Sequence, residues 1–235
     1  MTNKNVVGAA LFLSATLGAV FSHAGFGDII SSFRMPDIPH KGLEYDGEYL
    51  WFCGEQSNDF VRVTTAGSVV SSFLISTGPA GYIEGATFDG RYLWCAENES
   101  GRPVRCYKFT TAGAAAGDFS TGRELSYAGM AAANGHLWVR HLKFTTAGSL
   151  VSSFPPGGTL WDLAWDGHYL YSMNRKITTT GSVVASFTLP EGTGGPAAFD
   201  GSYLWTSARG WCYQVDVDVA AVGCASFGKV KALYR

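Results

Sequence analysis

Beyond its first twenty-odd residues the chain shows no sustained 3.6-residue apolar periodicity. Its hydrophobic positions fall in short runs broken by Gly, Asp and Asn, which predicts strands and turns rather than helices. One run reads apolar-x-aromatic-Asp-Gly-x-Tyr-Leu-Trp. It occurs five times: GLEYDGEYLW at 42–51, GATFDGRYLW at 85–94, GMAAANGHLW at 129–138, DLAWDGHYLY at 162–171 and PAAFDGSYLW at 196–205. A second run, TTAG followed by small and β-branched residues and a closing Ser-Phe, occurs at 64–73, 110–119, 145–154 and 178–187, with a degenerate fifth copy, DVAAVGCASF, at 218–227.

Asp-Gly or Asn-Gly between two apolar runs signals a hairpin, because a type I′ turn needs φ > 0 at both central residues. The first run therefore predicts strands A and B joined by such a turn. The glycine of TTAG relieves a second tight turn, which predicts strands C and D. Four strands in each of five repeats of about 40 residues describe an all-β, five-bladed β-propeller with four-stranded antiparallel blades. The recurring Asp46, Asp89, Asp166 and Asp200 are expected to be turn residues, and Trp51, Trp94, Trp138 and Trp205 to pack between blades. The stretches between B and C and between D and A vary in length from blade to blade. In propeller topology both emerge on one face, where recognition is expected.

The chain has an excess strand. GDIISSF at 27–33 matches the D element yet precedes the first blade. Ile29 to Phe33 is expected to pair with the Tyr213–Val217 strand of blade five and close the ring. That leaves 222–227 displaced outward as an extra edge, able to mediate self-association, since an unpaired β-edge exposes a row of amides and carbonyls.

Composition agrees with a β fold: 30 Gly, 14% aromatic and 15% charged residues in a chain of 235. The first residues read as a leader. Lys4 is the positive end, Val6 to Phe21 is an uncharged apolar run, and Ser22-His23-Ala24 offers a small-x-small cleavage site. The run falls short of the roughly 20 residues a membrane span needs. The expected division is a signal peptide at 1–24 and the propeller at 25–235, secreted, periplasmic or on the cell surface, with no membrane span after cleavage. Removing Lys4 turns 17 basic against 19 acidic residues into 16 against 19, a net of −3. That balance, spread along the chain, excludes nucleic acid as an expected partner.

Five cysteines in an exported chain invite a disulfide. A hairpin centred on Ser100-Gly101 sets Cys95 opposite Cys106, within bridging reach. A Cys212–Cys224 pair is a weaker option.

The repeats resemble those of secreted bacterial propellers with NHL-like or streptogramin-lyase-like blades, and GLEYDG resembles glutamine-cyclotransferase propellers. The resemblance covers about 35–230 and implies blade type, not activity, because such scaffolds host lyases, hydrolases, lectins and passive modules. Residues that depart from the repeat are the better guide. At the channel mouth the equivalent positions carry Lys41, Glu84, Ala128, Trp161 and Gly195, followed by Gly42, Gly85, Gly129, Asp162 and Pro196. With His40, Glu44, Tyr82 and Glu124, the residues Lys41, Glu84, Trp161 and Asp162 are candidates for a polar pocket with an aromatic wall, suited to a glycan or a protein ligand. No HExxH, GxSxG, CxxC or phosphate-binding glycine loop is present, so no cofactor or metal is expected. The leading expectation is a non-enzymatic binding or assembly module. The rival is a lyase or glycosidase, with Glu84 and Asp162 as the carboxylate pair.

Overall fold

The computed structural model describes residues 25–35, 40–54, 58–75, 81–155, 160–190 and 195–217. They form twenty strands in five four-stranded antiparallel sheets, with no helix among the described residues. The first strand, β1 (Ile29–Arg34), belongs to the last blade. Blade one is β2 (His40–Tyr45), β3 (Leu50–Gly54), β4 (Asp59–Val63) and β5 (Val69–Leu74). Blade two is β6 (Tyr82–Phe88), β7 (Leu93–Asn98), β8 (Arg105–Phe109) and β9 (Ala115–Ser120). Blade three is β10 (Met130–Ala133), β11 (His136–Val139), β12 (Leu142–Thr145) and β13 (Leu150–Ser153). Blade four is β14 (Ala164–Trp165), β15 (Leu170–Ser172), β16 (Arg175–Ile177) and β17 (Val183–Ser186). Blade five is β18 (Ala197–Phe199), β19 (Leu204–Ala208), β20 (Trp211–Val215) and β1. The first strands of successive blades, β2, β6, β10, β14 and β18, touch in a closed ring around the axis. The protein is a five-bladed β-propeller.

The repeat signature has a side-chain explanation. Asp46 Oδ1 accepts the amides of Glu48 and Tyr49 at 2.9 and 2.8 Å, and its Oδ2 accepts the indole N–H of Trp51 at 2.7 Å. Asp89 and Asp200 do the same for Trp94 and Trp205, and Asp166 for the Tyr171 hydroxyl at 3.0 Å. Each carboxylate thus holds the turn and orients the aromatic residue five positions on. This corrects the expected type I′ geometry. In blades one, two, four and five only the glycine has positive φ, 94–102°, while the aspartate caps the loop with its side chain. The two-residue I′ pattern holds at Asn134 and Gly135, φ 52° and 74°, where Ala133 pairs with His136.

The oriented aromatics fill the spaces between blades. The buried apolar residues divide into five clusters, one per blade interface. Trp51 lies between blades one and two, Trp94 between two and three, Trp138 between three and four, and Trp205 between five and one. On the third strand a cation faces the aromatic directly: Arg62 opposite Trp51, Lys108 opposite Trp94, Lys143 opposite Trp138 and Lys176 opposite Tyr171. Lys108 Nζ sits 5.2 Å from the Trp94 ring and Lys143 Nζ 5.8 Å from Trp138, a cation-π arrangement.

A further lock runs between blades. The glycine of each TTAG turn lies against the closing phenylalanine of the preceding blade: Gly67 on Phe33, Gly113 on Phe73, Gly148 on Phe119, Gly181 on Phe154. A Cβ at those glycines would come within 2.6–2.8 Å of the ring or its Cβ. Gly27 completes the circle on Phe187, at 2.7 Å.

Gly27 identifies the fifth D hairpin. In blade one, Gly67 N–H donates to Thr64 C=O and Thr64 N–H to Ser68 C=O, both at 2.9 Å. In blade five the same bonds run from Gly27 N–H to Asp216 C=O at 2.7 Å and from Asp216 N–H to Asp28 C=O at 2.8 Å. The hairpin is rebuilt from the two ends of the described chain with no covalent turn. β1 pairs antiparallel with β20, Ser32 opposite Tyr213 and Phe33 opposite Cys212, as the excess strand predicts. Residues 218–227 and Cys224 lie outside the described residues.

The expected Cys95–Cys106 disulfide is corrected by register. β7 pairs with β8 so that Cys95 faces Tyr107 and Ala96 faces Cys106. The loop from 99 to 104 is not symmetric about Ser100-Gly101, and a shift of one residue sends the two side chains to opposite faces. Cys95 lies in the cluster between blades one and two, Cys106 in that between two and three. Both are free thiols, as are Cys53 and Cys212.

Candidate functional site

The face carrying the second-to-third-strand loops and the blade-to-blade connectors holds the residues that depart from the repeat. Blade two has the longest second-to-third-strand loop, from Asn98 to Arg105, whereas the last three blades turn in two residues. Lys41 and Glu84 are bulge residues: β2 pairs His40 with Gly54 and then Gly42 with Cys53, and β6 pairs Ile83 with Glu97 and then Gly85 with Ala96. A bulge at a strand entry re-aims a side chain.

Around the axis the equivalent backbones nearly touch. A Cβ on Gly42 would meet the Ala86 amide, one on Gly85 the Ala128 carbonyl, and one on Gly129 the Trp161 carbonyl. This close approach places Lys41, Glu84, Ala128 and Trp161 on neighbouring blades around one opening. Where the first three blades have glycine, blade five has Pro196 and blade four has Asp162, whose side chain closes the opening. Asp162 is fully buried. Its Oδ2 accepts Leu43 N–H of blade one at 3.1 Å and its Oδ1 accepts Met130 N–H of blade three at 3.1 Å. The carboxyl spans three blades and plugs the channel. Burial pushes its pKa well above the ordinary carboxylate range, against the amides of Leu43, Met130 and Leu163, with nearby Glu44 raising it further.

Below this plug Glu44 Oε2 accepts the Thr87 hydroxyl at 2.8 Å, Thr87 Oγ1 accepts Ala132 N–H at 2.7 Å, and Glu44 Oε1 accepts Tyr45 N–H at 2.7 Å. The chain of bonds ties blades one, two and three together. Burial pushes the Glu44 carboxyl up to about 7, opposed by the bonds from Tyr45, Thr87 and Phe88. Glu44 and Asp162 are therefore two proton-retaining carboxyls in the channel wall.

Above the plug the surface is aromatic. Trp161 is 41% exposed and stacks on Tyr127, ring centroids 5.7 Å apart and 30° from parallel. Its amide donates to Ser172 Oγ at 3.3 Å. Tyr82, the first residue of β6, is 55% exposed. Glu84 accepts Asn98 Nδ2 at 2.8 Å, which anchors it to the long loop. Glu124 is exposed on the connector into blade three, and His40 opens β2 opposite Gly54. The sequence candidates thus divide. Lys41, Glu84 and Trp161 stand around the mouth, with Tyr82 two residues before Glu84. Glu44 and Asp162 belong to the plug beneath. Glu84 and Asp162 do not act as matched partners, since one is bound to Asn98 and the other to backbone amides of three blades. Tyr127 and Asn98 are not among the sequence candidates. Tyr127 stands one residue before the aligned position, and an aromatic residue beside an otherwise small-residue run is the signal that marks it.

No family model matches the sequence, and no curated protein matches it. Solved structures are similar to this chain, and the first of them shares its fold. The glutaminyl cyclase of Myxococcus xanthus is 15% identical with a TM-score of 0.64, covering 81% of this chain and 96% of its own. A protein of unknown function from Bacteroides caccae is 14% identical with a TM-score of 0.48, over 71% of this chain and 69% of that one. Virginiamycin B lyase from Staphylococcus aureus is 13% identical with a TM-score of 0.41, over 77% and 82%.

Proposed function

We propose that the protein is an extracytoplasmic, non-catalytic recognition module that binds carbohydrate on the loop-rich face of the propeller. The observation that carries this reading is the exposed Trp161, stacked on the half-buried Tyr127 beside a plugged axis. A large aromatic at the surface costs hydration unless something covers it, and a flat ring with polar neighbours suits the apolar face of a sugar. Lys41, Glu84 and Tyr82 supply hydrogen-bonding groups around the rings. The leader-like first 24 residues support an extracytoplasmic site of action.

The test is a glycan array followed by titration calorimetry on the best ligand. Trp161→Ala is expected to weaken binding about tenfold, equivalent to about 1.4 kcal/mol, with the unfolding midpoint unchanged because the indole is exposed. An array without a bound glycan, or a ligand bound equally well by Trp161→Ala, rules the reading out.

A second reading is a propeller enzyme working at the same mouth. It is favoured by Glu44 alone, whose carboxyl, pushed up to about 7, is matched to general acid-base work near neutrality. Glu44→Gln distinguishes the two. It should leave glycan affinity intact if the protein only binds, and abolish turnover of the bound ligand if it is an enzyme.

A further inference from the structure

The fifth blade has two candidate outer strands and one place for them. β1 holds that place through features that residues 218–227 lack. The turn position occupied by Gly27 has φ +92°, and a Cβ there would lie 2.7 Å from Phe187 Cβ. Asp216 holds the place of Thr64, so a turn continued along the chain would bring Val219 to this position and set VGCASF two residues out of register with the other outer strands. A β-carbon at that turn position is strained in backbone and collides with Phe187. β1 also ends in Phe33, which packs 6.2 Å from Trp205 and lies under Gly67. The place beside β20 is thus taken by β1, while the sequence VGCASF keeps the pattern of an outer strand.

Its complement is the row of outer edges. Every outer strand presents a pair of aliphatic or small residues to solvent, and each is bulged at the second of them: Ile30, Val70, Ala116, Val151 and Val184. Bulges and charges blunt an edge against pairing. β5 is the least protected of the five. It has six residues without a charge, VVSSFL, and exposes Val69 by 55%, Val70 by 45% and Leu74 by 75%. β1 ends in Arg34 and β9 carries Gly117 and Asp118, while β13 and β17 have four residues each.

We infer that residues 222–227 act as a donor strand that pairs with the outer edge of β5 in a second copy of this chain. Backbone bonds along Ser71–Leu74, past the bulge, supply the attraction. Donor and acceptor surfaces belong to different blades, five and one. The contact is therefore heterologous, and repeated head to tail it builds oligomers larger than a dimer.

The experiment uses the chain from Gly25 to Arg235 in sedimentation velocity across a hundredfold concentration range. Species larger than a dimer are expected to grow with concentration. Removing residues 218–235, or changing Val70→Lys on the edge of β5, is expected to leave only monomer with an unchanged unfolding midpoint. Cross-linking supplies the second measurement, because Cys53, Cys95, Cys106 and Cys212 are fully buried. Single cysteines at positions 70 to 73 should form an intermolecular disulfide with Cys224 at one register under mild oxidation. A full chain that stays monomeric throughout overturns the inference. So does assembly that survives both changes, or a Cys224 cross-link formed within one molecule, which would mean that the segment caps its own blade.

Discussion

Two carboxyls in the channel wall bind their protons more tightly in the folded protein than in the unfolded chain, and stability must follow pH accordingly. Glu44 rises from its ordinary 4.5 to about 7 on folding. Between those values the folded state holds a proton that the unfolded chain has released. The stabilisation is complete below about pH 4.5 and is lost as pH rises through 7, by an amount on the order of 3 kcal/mol. Asp162 shifts in the same direction. Unfolding in urea should show higher stability at pH 5 than at pH 8, and Glu44→Gln should remove its own share of that difference while leaving the share of Asp162. A slope of the opposite sign would mean that the channel carboxyls are ionised in the fold. Asp162→Ala strands the amides of Leu43 and Met130 without an acceptor, a loss on the order of 3 kcal/mol. Asp162→Asn keeps one carbonyl and should lose distinctly less, a contrast that denaturant titration reads directly.

At the level of the hairpin, the repeated motif was legible as a turn but not as the device it is. Spacing alone shows that Asp89 and Gly90 sit between two strands. It does not show Asp89 Oδ2 accepting the Trp94 indole at 2.7 Å, because a bond across five positions depends on how the turn aims the ring. The two residues therefore contribute unequally. A Cβ on Gly90 meets nothing within 4 Å, so Gly90→Ala bears only the strain of φ +94°, about 1 kcal/mol. Asp89→Ala orphans two amides and a buried indole N–H and should cost on the order of 3 kcal/mol. The double variant should unfold at a lower temperature without a selective loss of ligand binding. A well-folded double variant that no longer binds would contradict the turn assignment. The cysteines show the limit of counting. Opposition of Cys95 and Cys106 required a symmetric loop, and the asymmetric one moved the register by a single residue. The site was legible only where blades differ: Trp161 is the one aromatic residue among the five equivalent positions and Asp162 stands against glycine and proline, whereas Tyr127 sits one place off the alignment.

For the whole molecule the decisive contact is the one that turns a row of blades into a ring. β1 supplies an entire ladder on β20 and buries Phe33 in the core between blades five and one. Losing a buried phenylalanine alone costs about 3–5 kcal/mol. A chain lacking residues 25–34 should therefore melt roughly 10 °C lower or more, which differential scanning calorimetry would show. An unchanged midpoint would mean that another segment can fill the place. The same clasp explains why the five-blade count was readable from sequence although the outer hairpin of blade five is not continuous: its two halves each keep the pattern of the repeat, the glycine turn and Ser-Phe at the start, the DGSYLW strand pair near the end.

The clasp also sets a clock. Ile29 must find Val215, about 180 residues further along the chain. At roughly 5–20 residues per second of synthesis, the first strand made waits on the order of 10–40 s for its neighbour to exist. Throughout that interval four blades can assemble while IISSF stays unmatched, so the ring can shut only after Val215 has been made. Anything that holds the leading end of the chain apart from its tail, whether a translocating machine or a chaperone, therefore governs when this protein becomes a ring.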